Sequence, residues 1–343
     1  MGYIAKLISD IDSTHANLGN LIAMCQITVK ARKFMLIVSP SGCGKSKAMD
    51  YIAQATPDSY KPTSISIASL ANKTQLLDGF RSAIIVDDIS TIQTPYGRTA
   101  TITTLSALCY SHRVEPSMAG FDFKIEDFYG SALIGVQPVL LNGLMVAPEW
   151  EGSIQDKALR YYHLYRPISP NLGFPTFKLE QGISFDKVND FEPDIKNENW
   201  LALLILADSQ WSRARTKEHL IDMLKAIASL EKRTNVINED YILLVKLLKP
   251  MLIENIVATK EQLEGERNLN NNLLALLVEY YTYNGKFALA QIAQDFKLSL
   301  SQGYRIMDSQ NGYWQQIRKS PSIYQPSKKL ALLLKNLHLE VNE

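Results

Sequence analysis

The stretch from Phe34 to Ser46, FMLIVSPSGCGKS, constrains this chain more than any other. A short apolar run follows Arg32 and Lys33 and suits a buried parallel strand. Ser39 to Ser46 then reads S-P-S-G-C-G-K-S, which fits the phosphate-binding pattern G-x-x-x-x-G-K-[ST] except at Ser39. Gly42 and Gly44 allow a tight turn with N–H groups facing inward. Lys45 supplies charge for β- and γ-phosphates, and the Ser46 hydroxyl can ligate Mg²⁺. KAMDYIAQA continues with helical spacing, which puts bound phosphates on a helix N-terminus. Ser in place of the first Gly is tolerable if position 39 does not need a positive φ.

A phosphate-binding loop needs a second half, a strand ending in acid. SAIIVDDIS supplies it, with Asp87 and Asp88 after an apolar run. Asp87 is expected to hold Mg²⁺ through water. Asp88 is expected to orient or activate the attacking water, a task more often given to Glu. The two motifs in this order imply an ATP hydrolase that takes ATP with Mg²⁺. Ser41, Gly42, Cys43, Gly44, Lys45 and Ser46 form the nucleotide-binding set, and Ser46 and Asp87 the metal set. A third strand, SALIGVQP, ends in Gln137. If it lies between the first two, Gln137 can reach the same water.

The remaining motifs narrow the class. RVEPSMAGFDFKIEDFYGSALIGVQP (113–138) resembles the pre-sensor-1 hairpin and sensor-1 strand of AAA+ proteins of the MCM helicase type. In those proteins the hairpin enters a central channel and touches DNA. Its tip here falls near Pro116 to Gly120, with Met118 where Lys is usual. SIQDKALRYYHLYRP (153–167) is similar to the segment that carries the trans-acting arginine finger. The resemblance assigns that role to Arg160, with Lys157 as the alternative and Arg166 starting the next loop. SRARTKEHLIDMLKAIASLEKRTNVINEDYILLVKLL (212–248) resembles the MCM-type lid, which puts Arg215 at the sensor-2 position, with Arg213 as its rival. Asn238 reads as the N-cap of the last lid helix.

The fold class expected from all this is α/β: a P-loop AAA+ parallel sheet with a helical lid and a C-terminal winged-helix domain. The expected boundaries are a helical lead-in over 1–30, the nucleotide-binding subdomain over 31–170, the lid over 195–255, a polar linker over 256–272 and the winged helix over 273–335. In the last unit, Leu289 to Phe296 and Leu300 to Asp308 read as a helix-turn-helix, and Tyr313 to Lys329 as the wing. Ser301, Gln302, Tyr304 and Arg305 would face the major groove, and Arg318, Lys319, Lys328 and Lys329 the phosphates. The aromatic cluster Tyr280, Tyr281 and Tyr283 reads as packing.

Composition sets outer limits. With 343 residues, 46% hydrophobic and 21% charged, the chain reads as a soluble globular protein of two or three domains. A net charge of +1 excludes a general polycation, so a nucleic-acid surface must be local. Three cysteines without a C-x-x-C pair argue against a disulfide frame or structural zinc and fit the cytoplasm. No leader or spanning segment is evident, so no membrane partner is expected. The resemblance implies a DNA-remodelling motor, in the form of a minimal helicase, a helicase loader or a transposition or replication ATPase. It would work as a hexamer or helical filament of identical chains with a replication or transposition protein partner. The competing reading is a protein remodeller of the MoxR kind, with the winged helix as a docking module. A third is a nucleotide-gated switch with little hydrolysis.

Overall fold

In the computed structural model, the described residues are 2–15, 18–62, 65–115, 117–118, 121–164, 178–207, 210–254, 268–296, 298–310 and 312–336. The hairpin positions Pro116, Ala119 and Gly120, Arg166 and most of the expected linker lie outside them. Among the described residues no helix is long and apolar enough to cross a membrane.

The fold is α/β, built on a parallel four-stranded sheet. β1 (Phe34–Val38), β2 (Ala83–Val86), β5 (Ser131–Val136) and β6 (Ala158–Tyr162) have the order β2-β5-β1-β6. All four are buried throughout, as their nearly unbroken apolar sequences require when helices cover both faces. β5 lies between β1 and β2, in register Leu36↔Ile134 and Ile84↔Ala132. The C-terminal ends of β1, β2 and β5 therefore open on one edge. The chain at Tyr60 adds a parallel bridge to Ile84 on the outer side of β2.

Helices α1 (Tyr3–Asp12) and α2 (Leu18–Lys30) precede the sheet, and α3 (Lys45–Ala55) follows the loop. Two short helices, α4 (Ile67–Ala71) and α5 (Thr74–Leu77), lead to β2, and α6 (Pro95–Ser111) leads down to the N-terminal edge of the sheet. A two-residue pair, β3 (Ser117–Met118) with β4 (Phe121–Asp122), stands between α6 and β5. α7 (Pro138–Met145) follows β5. It is capped by Gln137 in an extended conformation, with Pro138 at its first position.

Helices α8 (Glu198–Ala207), α9 (Arg213–Leu230) and α10 (Asn238–Leu248) form a second layer. The N-cap of α10 is Ile237 and not Asn238. Asp240 accepts the Ile237 N–H at 2.9 Å and pairs with Arg233, so a carboxylate inside the first turn does the capping. Glu231, just past α9, accepts from the N–H groups of Tyr3 (2.7 Å) and Ile4 (2.8 Å), which pins the start of α1.

The C-terminal unit contains α11 (Asn268–Asn284), α12 (Leu289–Asp295), α13 (Leu300–Ser309) and α14 (Lys328–Asn336). Its sheet has the order β7 (Phe287–Ala288), β9 (Ser322–Pro326), β8 (Trp314–Lys319). Its core is aromatic: Phe287 lies 5.4 Å from Tyr280 and 5.0 Å from Trp314, ring centre to ring centre.

Candidate nucleotide site

The loop after β1 takes the conformation its glycines permit. Gly42 and Gly44 have φ of 83° and 82°, and a Cβ at Gly42 would meet no neighbouring atom. Both positions favour glycine because of their backbone angle, and at Gly42 crowding plays no part. Ser39 is absent from the positive-φ residues; it is fully buried, and its N–H donates to Val136 O at 3.0 Å. Serine is therefore compatible with this position.

Lys45 opens α3 and is 6% exposed. Its Nζ is buried without a hydrogen-bond partner among the described residues, 3.8 Å from Asp88 Oδ2. Burial lowers its pKa, against the pull of the Asp88 carboxylate. Burying an ammonium without hydrogen bonds is costly, so the chemistry of this site calls for an anion. Ser41 and Gly42 are exposed on the loop, Ser46 is exposed in the first turn of α3, and Cys43 is half-buried.

Asp87 and Asp88 end β2. Asp87 Oδ2 lies 3.0 Å from Lys61 Nζ, while its Oδ1 is buried with no hydrogen-bond partner among the described residues. Asp88 accepts the Ser90 N–H at 2.8 Å and the Gln137 amide at 3.2 Å. Burial pushes the Asp88 carboxyl up, but the Ser90 and Gln137 hydrogen bonds and the Lys45 charge outweigh it, and the pKa falls below the usual value. Asp88 is thus held ionised, as a water-orienting or proton-accepting group must be. The structure brings Lys45, Asp88 and Gln137 together at the open edge of the sheet.

Residues 35–135 match the model of a family described as RNA helicase. The matched span contains the loop, the acid-ended strand and all but the last residue of β5. No curated protein matches the chain. That span is similar to a helicase-type P-loop NTPase domain, and the match supports nucleotide binding by the loop and the acid-ended strand. The site fits a nucleoside triphosphate with a divalent metal: Lys45 and the loop N–H groups suit phosphates, and Ser46 and Asp87 suit the metal.

Arg160 requires a correction. It lies in the middle of β6 and is fully buried. Its guanidinium donates to Glu254 (2.6 and 2.9 Å), Gln155 O (2.8 Å), Ala158 O (3.0 Å) and Gln210 O (3.0 Å). Every donor of the guanidinium is used inside the chain. It cannot serve as a finger toward another subunit. Arg215 is not brought to the loop either. It pairs with Glu218 at 3.3 Å, and Glu218 and Asp222 hold Lys33, the residue just before β1, at 3.5 and 2.5 Å. Arg215 therefore sits at the N-terminal edge of the sheet, the length of β1 away from the loop, roughly 16 Å for five residues. It lies 4.1 Å over the Tyr110 ring, and Lys157 lies 5.7 Å over the same ring. The side chain of Arg213 is outside the described residues.

In the C-terminal unit Ser301, Gln302, Tyr304, Arg305, Arg318 and Lys319 are all exposed. Several have internal commitments. Gln302 accepts the Ser299 N–H at 2.8 Å and closes a capping box. Ser301 bonds Ser299 at 3.0 Å, and Tyr304 bonds Ser322 at 2.7 Å, tying α13 to β9. Arg305, Arg318 and Lys319 have no ion pair among the described residues.

Sequence reasoning missed three residues of the site. Gly135 has no room for a side chain: a Cβ there would lie 2.0 Å from Asp87 O. A glycine inside an apolar strand was the available signal. His163, just past β6, bonds Cys43 O at 2.9 Å and so braces the loop. Lys61 belongs to no motif, and only the fold brings it to Asp87.

Proposed function

We propose that the chain is an ATP-driven motor of the AAA+ type that assembles with copies of itself and acts on nucleic acid. The observation that carries this reading is the convergence of Lys45, Asp88 and Gln137 at the end of three adjacent strands. Such a site positions phosphates and water, which is most of what phosphoryl transfer to water requires. Bound Mg²⁺ would neutralise charge on the phosphates. Lys45 binds the anion, Asp88 holds the attacking water and accepts its proton, and Gln137 fixes the Asp88 carboxylate.

The finer parts of the reading concern the assembly. With Arg160 buried, the trans-acting cation is Lys157, assisted by Arg215. The two share the Tyr110 ring, which orients them as a pair on one surface. A γ-phosphate they contact belongs to a neighbouring chain. The hairpin at β3–β4 and the winged helix of α12, α13, β8 and β9 are the nucleic-acid contacts, with DNA as the expected substrate. Arg305, Arg318 and Lys319 have charges to spend on phosphates.

The test is ATP hydrolysis by the pure protein, alone and with single-stranded DNA, duplex DNA or RNA, against Lys45→Ala. Hydrolysis stimulated by one nucleic acid and lost in Lys45→Ala supports the motor and names its substrate. Hydrolysis indifferent to all three overturns it.

A further inference from the structure

Lys61 connects two acids that the sequence keeps apart. The backbone at Tyr60 is held beside β2: its N–H donates to Ala83 O at 2.8 Å and its carbonyl accepts from Ile85 at 2.9 Å. That pairing fixes where Lys61 begins. Its ammonium lies 3.0 Å from Asp87 Oδ2 and also bonds Asp50 on α3. Asp50 is one helical turn after Ser46 and lies on the same face of α3. The ammonium thus stands between the metal-binding strand end and the helix that carries the metal-binding hydroxyl. Asp87 Oδ1 remains buried and without a hydrogen-bond partner among the described residues. A lysine ammonium paired with two carboxylates is cationic at neutral pH.

We propose that Lys61 is a positioning residue that couples metal entry to nucleotide binding, by neutralising Asp50 and Asp87 until a triphosphate arrives. This rests on the nucleotide-site reading above. With Lys61 present, the three side chains carry one net negative charge, which attracts a free divalent ion weakly. With it removed they carry two. The triphosphate adds its own negative charge and ligands, so metal binds well only when nucleotide does. By linkage, nucleotide and metal then strengthen each other by the same factor. Lys61 also fixes the Asp87 carboxylate through one oxygen and leaves the other free for the metal's water shell.

The experiment titrates Mn²⁺ by electron paramagnetic resonance into the full chain, with and without a non-hydrolysable ATP analogue. Wild type, Lys61→Met and Lys61→Arg are compared. Lys61→Met is expected to bind Mn²⁺ alone about tenfold tighter than wild type, since one adjacent cation is gone. The factor by which nucleotide tightens Mn²⁺ should fall by a similar amount, and Lys61→Arg should keep the wild-type values. Equal or weaker Mn²⁺ binding in Lys61→Met overturns the proposal and leaves Lys61 a structural tie. If Lys61→Met does not fold, Asp50→Asn tests the same idea from the other side. It must weaken Mn²⁺ binding in the absence of nucleotide, and unchanged or tighter binding overturns the proposal. A fluorescent ATP analogue with Lys45→Ala as control reports separately on the nucleotide site, so failure of that reading is visible without reference to Lys61.

Discussion

Gly135 shows how much of the site depends on one missing methyl group. Its backbone passes so close to Asp87 that alanine would put Cβ 2.0 Å from the Asp87 carbonyl and 3.0 Å from the Lys45 side chain. Gly135→Ala must displace β2 or β5 where they carry Asp87, Asp88 and Gln137. A loss of about 1 to 3 kcal/mol is expected from such overpacking, together with weaker ATP binding, both measurable by denaturant titration with and without nucleotide. Ser39→Gly should change neither by much, because Ser39 is not in the positive-φ region. His219 makes a prediction of another kind. It is buried, its Nε2 lies 3.0 Å from Asp156 O, and its ring is 4.6 Å from Trp211. Burial, with the nearby charges of Lys33 and Arg215, lowers its pKa to about 4. Below the ordinary value of 6.5 the unfolded chain takes up a proton that the folded chain refuses. Stability is therefore complete above pH 6.5 and falls as the pH drops toward about 4, by about 3 kcal/mol for a shift of this size. His219→Gln, which can still donate to Asp156 O, should flatten the acid side of a plot of urea midpoint against pH. Persistence of the wild-type slope would assign the acid sensitivity to other groups.

At the scale of elements, local motifs were legible and long-range partners were not. The loop, the acid-ended strand and Gln137 each show in a few consecutive residues, because strand period and glycine placement are local properties. Arg160 was misread for the opposite reason. Its partner Glu254 is distant in sequence, and nothing in ALRYY marks the arginine as buried. Arg215 sits in a well-formed helix, but only its neighbours Glu218, Asp222 and Lys33 reveal which end of the sheet that helix crosses. The Arg160–Glu254 pair ties β6 to the segment after α10, and Gln210 joins both, through 2.9 Å bonds to the Arg160 backbone and a 3.4 Å bond to Glu254. Breaking one side of a buried pair leaves the other charge uncompensated. Glu254→Ala should cost about 3 to 5 kcal/mol, and Arg160→Met with Glu254→Leu clearly less. Equilibrium unfolding of the single and double variants checks this. A double variant as unstable as Glu254→Ala would mean that the hydrogen bonds to Gln155, Ala158 and Gln210 carry the stability instead.

At the scale of the whole molecule, the loop and the cations proposed to act on its nucleotide lie at opposite ends of one sheet. Lys45 stands at the C-terminal edge of β1, and Lys157 and Arg215 gather over Tyr110 at the other. A single chain cannot bring them together without unfolding the sheet. Two chains can, if the N-terminal edge of one meets the C-terminal edge of the next in a head-to-tail interface. This arrangement makes a prediction that a one-chain site cannot satisfy. Lys45→Ala and Arg215→Ala should each be inactive or nearly so in ATP hydrolysis. Mixed in equal amounts after disassembly, they should regain activity. A productive interface needs an intact loop from an Arg215→Ala chain and an intact cation pair from a Lys45→Ala chain. Random mixing supplies that combination at about a quarter of interfaces, one half multiplied by one half, in any closed or open head-to-tail assembly. Recovery near that fraction of wild-type hydrolysis would place Arg215 in trans. If the mixture stays inactive while both variants still assemble, Arg215 does not act across the interface. Its pairing with Tyr110 and Glu218 is then a structural link between α9 and the sheet.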